Sequence, residues 1–389
     1  MALDIARRVT SEPLLRPSDV HPSHPELEVV SVLNPAAARV GDEIVLLLRV
    51  AERPVRRDPP AGALTLDLSG AHPTLMPLGR GRGADDVVPI TLIDGDATER
   101  LQVVYLPKDL PGLDLRDPRG ITFTHPTTHR RTIFLTQFSH LRMARSRDGL
   151  SFEVDDIPAV YPHGQLEEYG CEDPRATCVG GEWHVTYVSV SRVGITTSLL
   201  TTRDFTRFTR RGVIFPPDQK DVALFPEKWR GGYMALTRPM PSSFDHVLGI
   251  WIACADPDLP FGRHEPLVMP RTGKWDERQT GASTTPFRTS CGWLEIYHGV
   301  DTDHRYTLGA VLLDGDDPTR VVARSPEPIL MPELPFEMEG LFGNVVYSCG
   351  HVPLDDDGRR IRVYYGAADS CVAAADFDVS EIIATLERV

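Results

Sequence analysis

Short apolar runs, broken at close intervals by glycine and aspartate, recur along most of this chain, and their length predicts strands rather than helices. The stretch 33–49 shows the grammar: an apolar segment, the turn Gly41-Asp42, and the run Ile44-Val45-Leu46-Leu47-Leu48 ending in Arg49. Strand, glycine turn and strand return around Gly180-Gly181, Gly231-Gly232 and Gly292, with a looser copy at Asp357-Gly358. A second motif follows each of these, a strand and an acidic turn leading into a short apolar run. Its aspartates, Asp148, Asp204, Asp258, Asp316 and Asp376, lie 56, 54, 58 and 60 residues apart. Short strands repeating at this period are the signature of a β-propeller blade, and five copies predict an all-β fold with five blades. A β-sandwich or two stacked β-domains is the competing reading, because turn motifs recur in any all-β chain. Closure into a ring also leaves no long exposed edge strand.

The expected organisation is a single five-bladed β-propeller over residues 1–389. Residues 1–28 are polar and dotted with proline, which predicts an N-terminal arm lying on the surface. The turns at Gly41 and Gly181 stand 140 residues apart, far more than one blade. The excess falls in 53–132, rich in Pro, Arg, Gly and Asp but holding strand-like runs at 63–68 and 101–106. It reads as an insertion in the first blade, serving as a lid or as a subunit contact in a homo-oligomer.

Composition narrows the partners. With 41% hydrophobic and 25% charged residues the chain has the makings of a large core, and a net charge of −14 argues against nucleic acid or an anionic membrane surface. No stretch approaches the ~18 apolar residues of a spanning helix, and the N-terminus has no apolar run of signal-peptide length. A cytoplasmic location is expected. The six cysteines, at 171, 178, 254, 291, 349 and 371, form no CxxC pair, which predicts reduced thiols without zinc.

In a propeller the innermost strand of each blade lines the central channel, so polar residues interrupting apolar strands converge on one cavity. Those residues are Asn34, Arg49, Asp173, Arg175, Lys220, Asp221, Glu227, Lys228, Arg238, His298, Tyr306, Asn344 and Asp369. Ordinary structural roles compete: Arg49 can cap its strand, Lys228 can be surface, and a lone His298 can be a satisfied core histidine. Taken alone, Glu172-Asp173-Pro174-Arg175 is a turn with an ion pair. Arg49, Lys220, Arg238 and His298 at equivalent blade positions in an acidic chain favour an anion site. Asp173 is the candidate proton donor or acceptor, with its backbone biased towards extended geometry by Pro174.

The segments Gly170-Cys171-Glu172-Asp173-Pro174-Arg175, 220–228, 293–301, 305–310, Gly343-Asn344-Val345-Val346 and Tyr364-Tyr365-Gly366-Ala367-Ala368-Asp369 carry a more specific signal. Their order and spacing resemble glycoside hydrolase family 130, over about 30–50 and 138–380. The resemblance implies a five-bladed propeller, as the repeat count does. It also implies an inverting enzyme: most members are β-mannoside phosphorylases, a minority β-1,2-mannosidases. By motif, Asp173 resembles the general acid, acting directly or through a sugar hydroxyl. Lys220, Arg238, His298 and Tyr306 match phosphate-binding positions. Asn34, Arg49, Glu172, Arg175, Asp221, Glu227, Asn344 and Asp369 match positions that hold the mannoside.

An inverting glycosidase needs two carboxylates, one to donate a proton and one to activate water. Phosphate is already an anion, so a phosphorylase needs one acid and a cationic cradle. The resemblance therefore implies phosphorolysis of β-1,2- or β-1,4-linked mannooligosaccharides or mannosyl-glucose to α-mannose 1-phosphate, with inorganic phosphate as co-substrate and no cofactor or metal. Hydrolysis with Glu227 as base is the alternative, and a non-catalytic sugar-binding propeller the third reading. An acid role requires the pKa of Asp173 to rise in a closed pocket, opposed by Arg175. Thr237 before Arg238, the turn Ser283-Thr284-Thr285-Pro286 and the stretch 53–132 depart from the family pattern and bear on the acceptor subsite.

Overall fold

The computed structural model describes residues 3–70, 72–93, 101–117, 120–241, 246–256 and 259–389. Among these the chain is all-β, with two short α-helices at Pro335–Met338 and Val379–Thr385. The first hairpin, Leu27–Val40 and Glu43–Pro54, turns at Gly41 with φ +60, which glycine adopts without strain. In its second strand Ile44, Leu46 and Leu48 enter one apolar cluster while Val45 and Leu47 enter another. Both faces of the strand are covered, so its sequence is continuously apolar rather than alternating. Each such leucine contributes about 1.5–3 kcal/mol by leaving water.

Antiparallel groups follow in chain order. Phe138–Ser146 and the short Glu153–Val154 complete the first. Gly170–Val179, Glu182–Ser191, Gly194–Thr202 and Thr209–Phe215 form the second, joined to the first by one parallel bridge between Ser139 and Gly170. The third is Gln219–Leu224, Met234–Pro239, Ile250–Asp256 and Leu259–Val268. Gln279–Ala282, Gly292–Val300, Tyr306–Leu313 and Val321–Arg324 follow, with Phe287–Thr289 and the C-terminal Glu387–Arg388 added. Val346–Pro353, Arg360–Ala367 and Cys371–Asp378 end the series.

Two expectations change here. The N-terminal arm is woven in rather than laid on the surface: Arg7–Arg8 pairs as a strand with Cys371–Asp378, and Leu15 and Val20 are buried. Arg8 is tied down by Glu337 and Glu333, which a polar, proline-dotted sequence does not reveal. The turn aspartates also slip. Asp148 and Asp204 cap the backbone N–H groups after them, but in the later copies that role belongs to Asp314 and Asp378 rather than Asp316 and Asp376. Asp376 pairs with Arg362, and Asp258 lies outside the described residues. Strands form within 53–132 at Leu64–Asp67 and Leu101–Pro107, where the sequence predicts strand-like runs, and make small sheets around a separate core of Leu66, Leu68, Ile90, Val104, Leu106 and Phe134.

Candidate active site

Three groups open with a strand interrupted in the same way. The pairing register shifts between Leu33 and Ala36, between Glu172 and Arg175, and between Lys220 and Ala223. Asn34, Asp173 and Asp221 sit in these bulges with φ of 45, 47 and 55°. Asn and Asp tolerate this left-handed region best, and a bulge re-aims a side chain out of the strand's alternation. Asp173 is therefore not extended: the bulge overrides the bias set by Pro174. Asn344 and Asp369 also have positive φ, in the turns next to the last group.

The bulges meet at a cavity of about 240 Å³. Asn34, Arg49, Asp173, Lys220, Tyr306 and Asp369 line it, with Gln137, Leu341, Phe342 and Tyr347. Asp173 is buried and is the hub. Its Oδ1 accepts from Asn34 Nδ2 at 2.8 Å and Arg49 Nη1 at 3.1 Å, and Lys220 Nζ stands 3.7 Å from Oδ2. Arg49 Nη2 donates to Glu172 at 2.7 Å, so one guanidinium bridges the two adjacent acids.

A second layer lies behind this wall. Asp221 Oδ2 is 2.9 Å from Arg238 Nη1, and Oδ1 accepts from the Tyr347 hydroxyl at 2.8 Å. Tyr347 in turn accepts from Arg175 Nη2 at 2.9 Å, while Arg175 Nη1 donates to the Asp173 carbonyl at 3.1 Å. His298 is fully buried, with Nε2 3.0 Å from Arg238 Nη1 and Nδ1 3.2 Å from Ser283 Oγ.

The electrostatics differ from the sequence-based picture. Burial pushes Asp173 up, but Arg49, Lys220, the Asn34 amide and Arg175 outweigh it and hold its carboxyl below the usual range. Among these neighbours the expected rise does not appear. Burial, reinforced by the charge of Asp173, keeps Glu172 above its ordinary value against the pull of Arg49. Burial lowers His298 to about 3, so it is neutral and adds no charge to an anion site. The cations Arg49, Arg175, Lys220 and Arg238 are matched by Glu172, Asp173, Asp221 and Asp369, a balanced network rather than a cationic cradle.

His298 has a folded pKa depressed below the free value near 6.5, so the unfolded chain takes the proton first. Its contribution to stability is complete above about 6.5 and is lost as pH falls towards 3. Ring ¹⁵N shifts of His298 are expected to stay those of neutral imidazole from pH 8 to 5; a midpoint near 6.5 would contradict its buried, neutral state.

Of the residues expected at the site, Asn34, Arg49, Asp173, Lys220, Tyr306 and Asp369 line the cavity, and Glu172 is bound to Arg49 at its edge. Arg175, Asp221, Arg238 and His298 lie behind it, absent from the lining. Asn344 is exposed and absent from the lining; its carbonyl accepts from the backbone N–H of Tyr306 at 3.0 Å. Glu227 is a correction: it is half exposed and paired with Arg288 Nη2 at 3.4 Å, outside the cavity. Lys228, also exposed, lies over the Tyr233 ring. Strand pattern alone does not single out Tyr347, Ser283 or the buried Glu295, whose Oε1 holds Ser283 N–H at 3.0 Å. Tyr347 looks like a core aromatic in sequence; only its hydroxyl contacts reveal it.

Comparison with known proteins places the chain in a clear context. The sequence model of a glycoside hydrolase 130 family, described as β-1,4-mannooligosaccharide phosphorylase, matches residues 131–388. A β-1,2-mannobiose phosphorylase of Listeria innocua is 37% identical over 381 residues, 98% of each chain. A 1,2-β-oligomannan phosphorylase of Thermoanaerobacter sp. is 37% identical over 247 residues, 63% of this chain and 80% of its own. The solved structure of a β-1,2-mannobiose phosphorylase from Listeria innocua in complex with β-1,2-mannobiose aligns with a TM-score of 0.83 and 36% identity, covering 98% of both chains. Such coverage means that 53–132 has a counterpart there and is not peculiar to this chain.

Proposed function

The chain belongs to glycoside hydrolase family 130, and from that premise we propose that it cleaves β-mannosides with inorganic phosphate, releasing α-mannose 1-phosphate. The observation that carries the reading is the composition of one cavity. A buried carboxyl, Asp173, stands there between hydroxyl-gripping groups (Asn34, Arg49, Asp369) and a lysine–tyrosine pair, Lys220 and Tyr306. β-1,2-Linked substrates are favoured over β-1,4, because the relative that matches this chain over its full length is named for β-1,2-mannobiose.

In this reading phosphate takes the side of Lys220 and Tyr306, with Arg238 behind it. A phosphate oxygen attacks C1 of the mannosyl residue on the face opposite the departing oxygen. As the C1–O bond breaks, the proton of Asp173 passes to the leaving oxygen, directly or through a sugar hydroxyl, and Asp173 ends as carboxylate. Asp173 must first be protonated, while Arg49 and Lys220 favour its ionised form. Phosphate resolves this conflict: a dianion seated on Lys220 cancels part of the field that depresses Asp173, so the acid is charged with a proton as the nucleophile arrives. The hydrolytic alternative needs a second carboxylate as base. Glu227 is remote, and Glu172 and Asp221 are engaged by Arg49 and Arg238.

The fold that goes with this function is a single five-bladed propeller domain. Each antiparallel group is a blade, Arg7–Arg8 supplies the missing strand of the fifth, and 53–132 is inserted in the first.

The test is incubation of β-1,2-mannobiose and β-1,4-mannobiose with and without phosphate, with the products separated and identified. Mannose 1-phosphate is expected only when phosphate is present, with turnover at least roughly 100-fold lower without it, a factor within reach of one lost reactant. Cleavage at full rate in phosphate-free buffer, giving only mannose, would overturn the reading.

A further inference from the structure

Ser283 joins both halves of the second layer through three atoms. Its N–H donates to Glu295 Oε1 at 3.0 Å, its carbonyl accepts from Arg175 Nε at 2.9 Å, and its Oγ lies 3.2 Å from His298 Nδ1. Ser283, Glu295 and His298 are all fully buried.

Donor and acceptor logic fixes the proton on His298. Arg238 Nη1, 3.0 Å from Nε2, can only donate, so Nε2 must be the acceptor. Neutral imidazole then carries its proton on Nδ1, and that N–H donates to Ser283 Oγ. Packing fixes the ring as well. Tyr306 stacks on it at 6.0 Å between centroids and Tyr347 lies against it at 4.7 Å. The Cε1 edge abuts Gly281, where even an added Cβ would stand only 2.3 Å away. These neighbours confine the ring, and the tautomer is the freedom on which its hydrogen bonds depend.

We propose that Ser283 is a positioning residue for the phosphate half of the site: its hydroxyl locks His298 as the Nδ1–H tautomer, which leaves Nε2 to accept from Arg238 and steady that guanidinium behind Lys220. Without the hydroxyl, a buried N–H loses its acceptor. The proton then moves to Nε2, where Asp221 Oδ2, at 3.6 Å, becomes the acceptor. The new Nε2–H faces the N–H of Arg238 and pushes the guanidinium off its place. Asn34, Arg49 and the Asp173 carboxylate make no contact with this ring, so mannoside binding is spared.

The consequence for phosphate rests on the phosphorylase reading; the tautomer does not, and the experiment separates them. Long-range ¹H–¹⁵N spectra of wild type, Ser283→Ala and Thr284→Val report the His298 tautomer. Phosphate and β-1,2-mannobiose KM values are measured on the same samples. Thr284 is a neighbouring buried hydroxyl that does not line the cavity and whose Oγ1 has no hydrogen-bond partner among the described residues, and it serves as control. The expected result is Nδ1–H in wild type and Thr284→Val, and Nε2–H in Ser283→Ala, with phosphate KM raised roughly 5- to 10-fold, one hydrogen bond's worth, and mannobiose KM within about 2-fold. Nε2–H in wild type overturns the proposal, as does an unmoved tautomer in Ser283→Ala, an equal rise in both KM values, or the same changes in Thr284→Val. A wild type that needs no phosphate defeats the phosphorylase reading alone, and the spectra still decide the lock.

Discussion

Asp173→Asn is expected to lower kcat for β-1,2-mannobiose phosphorolysis by roughly 10³-fold, within the 10²–10⁴ that a positioned general acid contributes. Asparagine fits the site. It adopts positive φ readily, and its side-chain oxygen still accepts from Asn34 and Arg49, so the fold should persist, with a melting temperature lowered by the lost pairing to Arg49 and Lys220. What it lacks is a transferable proton. The substitution also removes a negative charge beside Lys220 and Arg49. Phosphate should therefore bind as well as in wild type or more tightly, so that kcat collapses while phosphate KM holds or falls. A loss confined to KM, or turnover within tenfold of wild type, would move the proton donor elsewhere.

Gly281→Ala is the second large effect, and it acts without changing any polar group. A Cβ at this position would lie 2.3 Å from His298 Cε1, 2.6 Å from His298 Nε2 and 2.5 Å from Asp221 Oδ2. Neither neighbour can retreat. His298 is packed against Tyr306 and Tyr347, and Asp221 is held by Arg238 and Tyr347. Gly281 is paired in register with His298, so backbone movement on either strand carries the clash along. Overpacking of this kind costs about 1–3 kcal/mol, which a protein of this size survives. Its damage falls on the site: kcat/KM is expected to drop at least roughly 100-fold, the scale associated with a displacement of about 1 Å in catalytic geometry. A folded variant with activity within a few-fold of wild type would show that Asp221 and His298 are not required where they stand.

The parts of this architecture that sequence reveals are those set by short-range rules. Continuous apolar runs such as Ile44–Leu48 mark strands covered on both faces, and glycine turns mark their hairpins. Polar residues breaking those runs identify Asn34, Asp173, Lys220 and Asp369, which meet at one cavity. Long-range partners decide the rest. Proline biases Asp173 towards extended geometry, but a bulge set by cross-strand register gives it positive φ. Glu227 shares a segment with Asp221, yet its surface partner Arg288 comes from a distant strand. His298 counts as a potential cation until its burial is known, and Leu15 and Val20 look like arm residues until the last group covers them. Tyr347 has no sequence signature, and Ser283 stands out only within a turn that departs from the family pattern, because the importance of both lies in what their oxygens touch.

Phosphate's role as nucleophile is the central claim, and isotope labelling tests it most directly. The reaction is run with β-1,2-mannobiose and phosphate in H₂¹⁸O, and the first products are analysed by mass spectrometry. The account predicts α-mannose 1-phosphate with no ¹⁸O at the anomeric carbon, because that oxygen comes from phosphate. Free mannose carrying one ¹⁸O from the cleaved residue, with no sugar phosphate formed, would mean that water attacks and would contradict it.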